Sequence, residues 1–185
     1  MPFSNLHHDV ILPLNLCDLL VRDVASLIVM SQLISHSLPA LRPNCQFSPE
    51  LTTKLDDILT ITRTGSKRLY PILDEAGAVL PAAPDATSCA LVTGSFTRLP
   101  AGGNPAVLTV EIMTNLRLLA QYIELRAWLA AESSLLVGQR QLSHVLVAWS
   151  AEWRACGRAL RVATLRARAK AYIADLSEAR IKRAT

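Results

Sequence analysis

The sequence is poor in several residue types that would point to particular protein classes. Of its 185 residues only 18% are charged, 5% are aromatic and seven are glycine. So few glycines argue against a turn-rich all-β sandwich or barrel. The apolar fraction of 51% and the mean hydropathy of +0.29 exclude wholesale disorder, which requires low hydrophobicity and high charge. The chain is long enough for one domain that needs no metal or disulfide, and its weakly charged surface suits a self-association face.

Cysteines are few and widely spaced, at Cys17, Cys45, Cys89 and Cys156. They form no Cys-x-x-Cys pair and no Cys/His cluster at zinc spacing. The first 20 residues lack the basic start of a signal peptide, and the most apolar run, residues 25–34, is shorter than the roughly 20 residues that span a bilayer. We therefore expect a cytoplasmic protein with reduced thiols and no membrane partner.

Basic residues are concentrated at the C-terminus. Residues 1–153 contain 10 basic and 13 acidic residues, whereas residues 154–185 contain nine and two, so the net charges are −3 and +7. This segment predicts either a solvated amphipathic helix or a surface for an acidic partner; nucleic acid is the less favoured ligand. The candidate anion-binding side chains are Arg154, Arg158, Arg161, Arg166, Arg168 and Lys170.

Apolar residues recur at helical spacing in most of the chain, and no strand pattern competes. After an N-terminal arm, residues 1–15, a first helix is predicted from Leu16 to Leu38. A second begins at Ser48-Pro49-Glu50, which combines a cap, a first-position proline and an acidic first turn. It should kink or restart at Pro71 and end near Gly77.

The middle of the chain, residues 78–104, is rich in proline and glycine and is predicted to be an irregular crossover. A third helix starts at Asn104-Pro105, and a fourth spans about residues 139–162. A separate basic C-terminal helix follows within residues 163–185. The bundle would therefore comprise residues 16–162, and its core is expected to include Trp128, Trp149, Trp153 and Cys156.

This arrangement of helix starts and stops resembles the ferritin-like family of small, stress-associated bacterial proteins that includes YciE and YciF. The resemblance covers roughly residues 16–165. It rests on Asp18-Leu19 with Leu38-Pro39, on Ser48-Pro49-Glu50-Leu51, and on Cys89 followed by Gly94. It implies an all-α, ferritin-like four-helix bundle made of two helical hairpins joined by a crossover, plus a C-terminal helix. We also expect a homodimer.

The di-metal ligands of that family are not matched in this sequence. Its Glu and His positions correspond here to Ser31, Thr60, Arg63, Leu116, Leu119 and Trp149. A bundle metal site needs several facing carboxylates, a cationic Arg63 would oppose a divalent ion, and Trp149 would occupy the space of the metal. The prediction is therefore a non-catalytic bundle without metal or cofactor, with a structural or protein-interaction role that the resemblance links to bacterial stress.

Three alternatives stay open at this point. Other carboxylates could form a rearranged iron or manganese site, although most lie beside the apolar stripes. The basic C-terminal segment could bind nucleic acid or another anionic partner. An emptied bundle centre could also carry an apolar ligand, but two inward tryptophans favour a filled core.

Overall fold

The computed structural model describes residues 15–42, 48–75, 80, 86–93 and 104–184. These ranges contain five α-helices and no β-strand, which confirms the all-α prediction. The predicted N-terminal arm, Cys45, Gly77 and Gly94 lie outside the described residues. The helices are α1 (Leu16–Ser37), α2 (Pro49–Glu75), α3 (Ala86–Thr93), α4 (Pro105–Leu136) and α5 (Arg140–Ala184), with a 3-10 turn, Leu38–Leu41, after α1.

Each of three long helices begins with a side-chain cap. The Asn15 carboxamide oxygen accepts a hydrogen bond from the backbone N–H of Asp18 at 3.0 Å, and Asn104 accepts one from Ala106 at 2.9 Å. The Ser48 hydroxyl accepts one from Leu51 at 3.3 Å. These bonds satisfy backbone donors that have no partner within the first helical turn. The starts predicted at Ser48-Pro49 and Asn104-Pro105 are therefore correct.

Helices α4 and α5 form one long antiparallel hairpin through a tight turn at Gly138. This glycine has a φ of +80°, which side chains with a β-carbon rarely adopt. The N–H of Gly138 bonds to the carbonyl of Leu135, and the N–H of Gln139 bonds to that of Ser134. These two bonds define a Schellman motif, which ends α4 and reverses the chain within three residues.

Two sequence-based expectations about helix boundaries are wrong. The basic segment is not a separate helix but continues α5, because Ala163 and Thr164 are buried and the Thr164 hydroxyl bonds to the Leu160 carbonyl. Residues 86–93 of the supposed irregular crossover form a helix, which Val92 anchors in the core. Helix α2 runs through Pro71 to Glu75 as one element.

The four long helices pack around a single apolar core. Helices α1 and α2 contribute mainly leucines and isoleucines to this core, and α4 contributes alanines, leucines and isoleucines. Helix α5 contributes both of its tryptophans. The buried hydroxyls of Ser31 and Thr62 donate to carbonyls four residues back in their own helices, at 2.8 and 2.7 Å, whereas that of Ser150 donates to the Glu124 carbonyl of α4 at 3.2 Å. The core therefore accommodates its few polar side chains without a polar network between helices α1 and α2.

Candidate functional site: the centre of the bundle

Trp149 of α5 occupies the middle of the bundle against the backbone of α2. Its side chain is fully buried, and its indole Nε1 donates a hydrogen bond to the Ile61 carbonyl at 3.2 Å. A β-carbon placed on Gly65 would lie 2.0 Å from that nitrogen, far inside any van der Waals contact. Gly65 is therefore the opening in α2 that admits the indole ring, a role beyond its helix-weakening effect.

A second buried tryptophan, Trp153, continues this layer one turn further along α5. The ring centroids of Trp149 and Trp153 are 6.4 Å apart, at an interplanar angle of 64°, which is an edge-to-face pair. The Nε1 of Trp153 is buried and has no hydrogen-bond partner within the described part of the chain. The two rings fill the space at this level, as predicted for the inward face of this helix.

Four of the six positions that correspond to the family's metal ligands face the core. Ser31 is buried and donates to the Leu27 carbonyl, while Leu116, Leu119 and Trp149 are almost completely inaccessible to solvent. The side chains brought together here are apolar, apart from the hydroxyl of Ser31 and the indole N–H groups. The arrangement can pack and exclude water, but it offers no carboxylate or imidazole.

The other two positions, Thr60 and Arg63, are exposed on the outside of α2. The inference that Arg63 stands near the bundle centre is therefore wrong. The inward pair at a spacing of three is instead Leu59 and Thr62, which are both buried. The signal was present in the sequence, because the helical stripe of α2 runs through Leu55, Leu59, Thr62 and Leu69, and Arg63 lies about 85° from the centre of this stripe.

Carboxylates of the described helices lie on the surface, where several join neighbouring helices. Asp23 of α1 pairs with Arg126 of α4 at 3.2 Å, and Glu124 of α4 pairs with Arg154 of α5 at 2.7 Å. Glu152 pairs with Arg68 at 2.9 Å. Among the described residues, no group of three or more His, Cys, Asp or Glu side chains is placed to hold a metal ion.

Cys156 packs in the core next to this layer, as its place on the apolar stripe predicted. It is 6% exposed, and burial, with a smaller contribution from the charge of Asp57, raises the pKa of its thiol to about 11. A thiol with such a pKa is almost entirely protonated at neutral pH and is a poor nucleophile. Cys156 is therefore a small core residue rather than a reactive group.

The six candidate anion-binding side chains are all exposed along α5, but they are not equivalent. Arg154 is paired with Glu124, and Arg166 lies 3.5 Å from Glu50 of α2. The other four, Arg158, Arg161, Arg168 and Lys170, form no ion pair with the described acidic side chains. Of the six candidate anion-binding side chains, two arginines thus pair with acidic residues of the bundle and four cations face solvent.

Two further expectations need correction. Trp128 is not in the core but 44% exposed on the outer side of α4. The apolar segment near the N-terminus is also longer than the ten-residue run recognised in the sequence. Leu16–Leu41 is long and apolar enough to cross a membrane. However, 56% of its most apolar 18-residue stretch is buried in the bundle, and core helices of soluble proteins reach the same length and hydropathy.

Comparison with known proteins places the fold in a defined class. No protein-family model matches the chain, and no curated protein does. The described architecture is that of the ferritin-like helical proteins of the YciF type, as the sequence resemblance implied.

Two solved structures carry this likeness. The Escherichia coli stress protein YciF superposes with a TM-score of 0.78 at 12% identity, over 85% of this chain and 99% of that one. YcfI from Rhodopseudomonas palustris, for which a structural role has been suggested, superposes with a TM-score of 0.74 at 17% identity, over 80% of this chain and 94% of that one. At these identities the comparisons establish the shared fold.

Proposed function

We propose that this protein is a non-catalytic, metal-free helical scaffold with a structural or protein-interaction role in bacterial stress physiology. The observation that carries the proposal is the position of Trp149, whose indole ring is seated on Gly65 in the centre of the bundle. A ring in this place replaces the ligands and the open volume that a bundle metal site requires.

The donor set at the centre does not fit a di-metal site. Hard divalent cations prefer several carboxylate oxygens and imidazole nitrogens, contributed by facing helices. The inward positions of α2 and α4 hold Leu59, Thr62, Leu116 and Leu119 instead. The half-buried carboxylates of Glu124 and Glu152 are paired with arginines at the surface. This chemistry supports a packed core where relatives of this fold could place a metal.

Names of proteins with the same fold are compatible with this role. YciF is described as a stress protein, and YcfI has been suggested to be structural. The chemistry of the bundle centre supports the metal-free and non-catalytic part of the proposal, and the name of YciF supports its link to stress.

Metal analysis of the purified protein tests this function directly. The chain is expressed with added iron and manganese, and we expect less than about a tenth of an equivalent of either metal, with no thermal shift when metal is added. Trp149→Ala is the matched variant, because it opens space without supplying a ligand and should also remain without metal. Near-integral metal in the natural chain would overturn the proposal.

We further propose that the scaffold self-associates as a homodimer through the outer side of α4. Four large apolar side chains there, Leu118, Leu125, Trp128 and Leu129, are 44–52% exposed. They lie on one side of the helix, away from its buried residues, and an exposed apolar patch of this kind is typical of an interface. Sedimentation should give the mass of a dimer for the natural chain.

A pair of charged substitutions separates this interface from the rest of the surface. Leu125→Glu with Leu129→Glu should give a folded monomer, since both side chains are already half in solvent. Val147→Glu, at a similarly exposed position of α5, should leave the dimer intact. A natural chain that sediments as a monomer, or a dimer that survives the double substitution, would contradict this assignment.

A further inference from the structure

The outer side of α5 carries a second exposed apolar stripe that the bundle does not use. Ala167 is the last buried residue among the side chains of α5 that the structure describes, whereas the helix continues to Ala184. On the side away from the core, Val162, Leu165, Tyr172 and Leu176 are 48–65% exposed. Exposed Ala169 lies between them. We call these five residues the α5 seam.

Residues of the α5 seam are separated by alternating steps of three and four. Val162, Ala169 and Leu176 fall seven residues apart, with Leu165 and Tyr172 between them. Steps of three and four that repeat every seven residues place apolar side chains on a narrow line that packs against one partner helix. A helix that lies in a lipid surface instead shows a broad apolar face along its length. Here Ile173, which is 63% exposed, widens the line at one position.

Charges beside the seam decide what can pair with it. Arg161 and Arg168 flank one edge of the seam, with Asp175 at its far end. Arg166 flanks the other edge, with Ile173 at its far end. These are the positions whose side chains meet those of the partner across a coiled-coil interface. Arg161 and Arg168 form no ion pair within the described chain, and Arg166 remains 67% exposed beside Glu50.

A second copy of the chain lying parallel is a poor occupant of this seam. In a parallel pair of α5 helices Arg161 would meet Arg166 of the other copy. Like charges in these positions repel and select against that pairing. The complementary partner carries the same apolar spacing with acidic residues on both edges.

We propose that the α5 seam binds an acidic amphipathic helix of another protein, with apolar residues on its inner line and glutamate or aspartate beside them. The proposal deepens and rests on the proposed scaffold function, because it names the chemistry of the partner. Val162, Leu165 and Tyr172 would bury apolar area against that helix. Arg161, Arg166 and Arg168 would select its charge and speed association.

Two synthetic helices of about 21 residues, three heptads each, serve as probes. Both have leucine on the inner line; one has glutamate and the other lysine at the flanking positions. Binding to the full-length protein is measured by fluorescence anisotropy at about 0.1 M salt. We expect the glutamate peptide to bind at least about tenfold more tightly than the lysine peptide, and its affinity to fall with added salt.

Two double variants test the residues of the seam. Leu165→Glu with Tyr172→Glu should abolish binding of the glutamate peptide, whereas Leu125→Glu with Leu129→Glu on α4 should leave it unchanged. Arg161→Glu with Arg168→Glu should reverse the preference toward the lysine peptide. All substituted side chains are exposed, so circular dichroism should show an unchanged fold in each variant.

Three results would overturn the proposal. The first is equal affinity for both peptides. The second is binding to vesicles of phosphatidylserine and phosphatidylcholine, or to duplex DNA, without binding to the glutamate peptide. The third is a dimer of the natural chain that dissociates in the Leu165→Glu, Tyr172→Glu variant. Metal content measured on the same preparation separates the two proposals. If the protein is free of metal and does not bind the glutamate peptide, only the proposed helical partner is contradicted. If the protein contains stoichiometric metal, the scaffold function is contradicted.

Discussion

Gly65 and Trp149 are a complementary pair at the centre of the bundle: the indole nitrogen lies 2.0 Å from the point where a β-carbon on Gly65 would stand. Glycine inside a helix costs about 1 kcal/mol relative to alanine. Here that cost is offset by burial of a complete tryptophan side chain, which contributes more than about 2 kcal/mol. The packing thus explains why a residue that weakens α2 occupies the middle of it.

Replacement of Gly65 by alanine should destabilise the protein, although alanine is the better helix former. The added methyl group collides with the indole ring, and overpacking of this kind costs about 1–3 kcal/mol. The free energy of unfolding from urea titration measures the effect. The same substitution in a Trp149→Leu background should be neutral or stabilising by up to about 1 kcal/mol, because the collision is gone. Equal destabilisation in both backgrounds would contradict the pairing.

Substitution of each central tryptophan by phenylalanine should change the free energy of unfolding by different amounts. Trp149→Phe loses the hydrogen bond to the Ile61 carbonyl and should cost about 1–3 kcal/mol. Trp153→Phe removes a buried N–H that has no partner within the described residues, so it should change stability by less than about 1 kcal/mol. Thermal unfolding of both variants gives the comparison. A greater loss for Trp153→Phe would mean that its N–H has a partner.

Stability should fall at alkaline pH through the Cys156 thiol. Burial raises the pKa of this thiol to about 11, whereas the unfolded chain ionises near its usual value of about 8.5. The unfolded state therefore releases the proton first. The contribution of the protonated thiol to the free energy of unfolding is fully present below about pH 8.5. It is lost as the pH rises toward 11, and the loss is at most about 2–3 kcal/mol.

The pH effect is measured as a difference between variants, which cancels other alkaline titrations. Urea midpoints of the natural chain and of Cys156→Ala are compared between pH 8 and 11, and their separation should shrink as the pH rises. Cys17→Ala is the matched control, because it removes an exposed thiol in place of a buried one. A constant difference for Cys156→Ala would exclude its thiol as the cause.

Deletion of residues 172–185 should leave the bundle intact. Of the described side chains between residues 172 and 184 none is buried, so the melting temperature should change by less than about 3 °C. Binding of the glutamate peptide should be lost, since the deletion removes Tyr172 and Leu176. Deletion from Leu160 instead removes buried Leu160, Ala163 and Thr164 and should lower the melting temperature strongly. A large loss from the shorter deletion would show that the end of α5 supports the fold.

Helix starts and the general fold could be predicted because their causes are local. Ser48-Pro49 and Asn104-Pro105 act within one turn, and apolar spacing identifies the buried side of each long helix. The orientation of individual side chains was predicted less well. The family resemblance placed Thr60 and Arg63 at the centre, where the structure has Leu59 and Thr62. The error is one residue along α2, which corresponds to a rotation of about 100° around the helix axis.

The sequence by itself determined the four long helices of this protein, the caps of two of them and the apolar stripes that bring them together, because these depend on residues within a few positions of one another. Only the tertiary structure decided that α5 is a single helix whose end extends past the last core residue, and that Trp149 bonds to a carbonyl 88 positions away. Such contacts depend on the rotation and spacing of packed helices, which the local pattern does not fix.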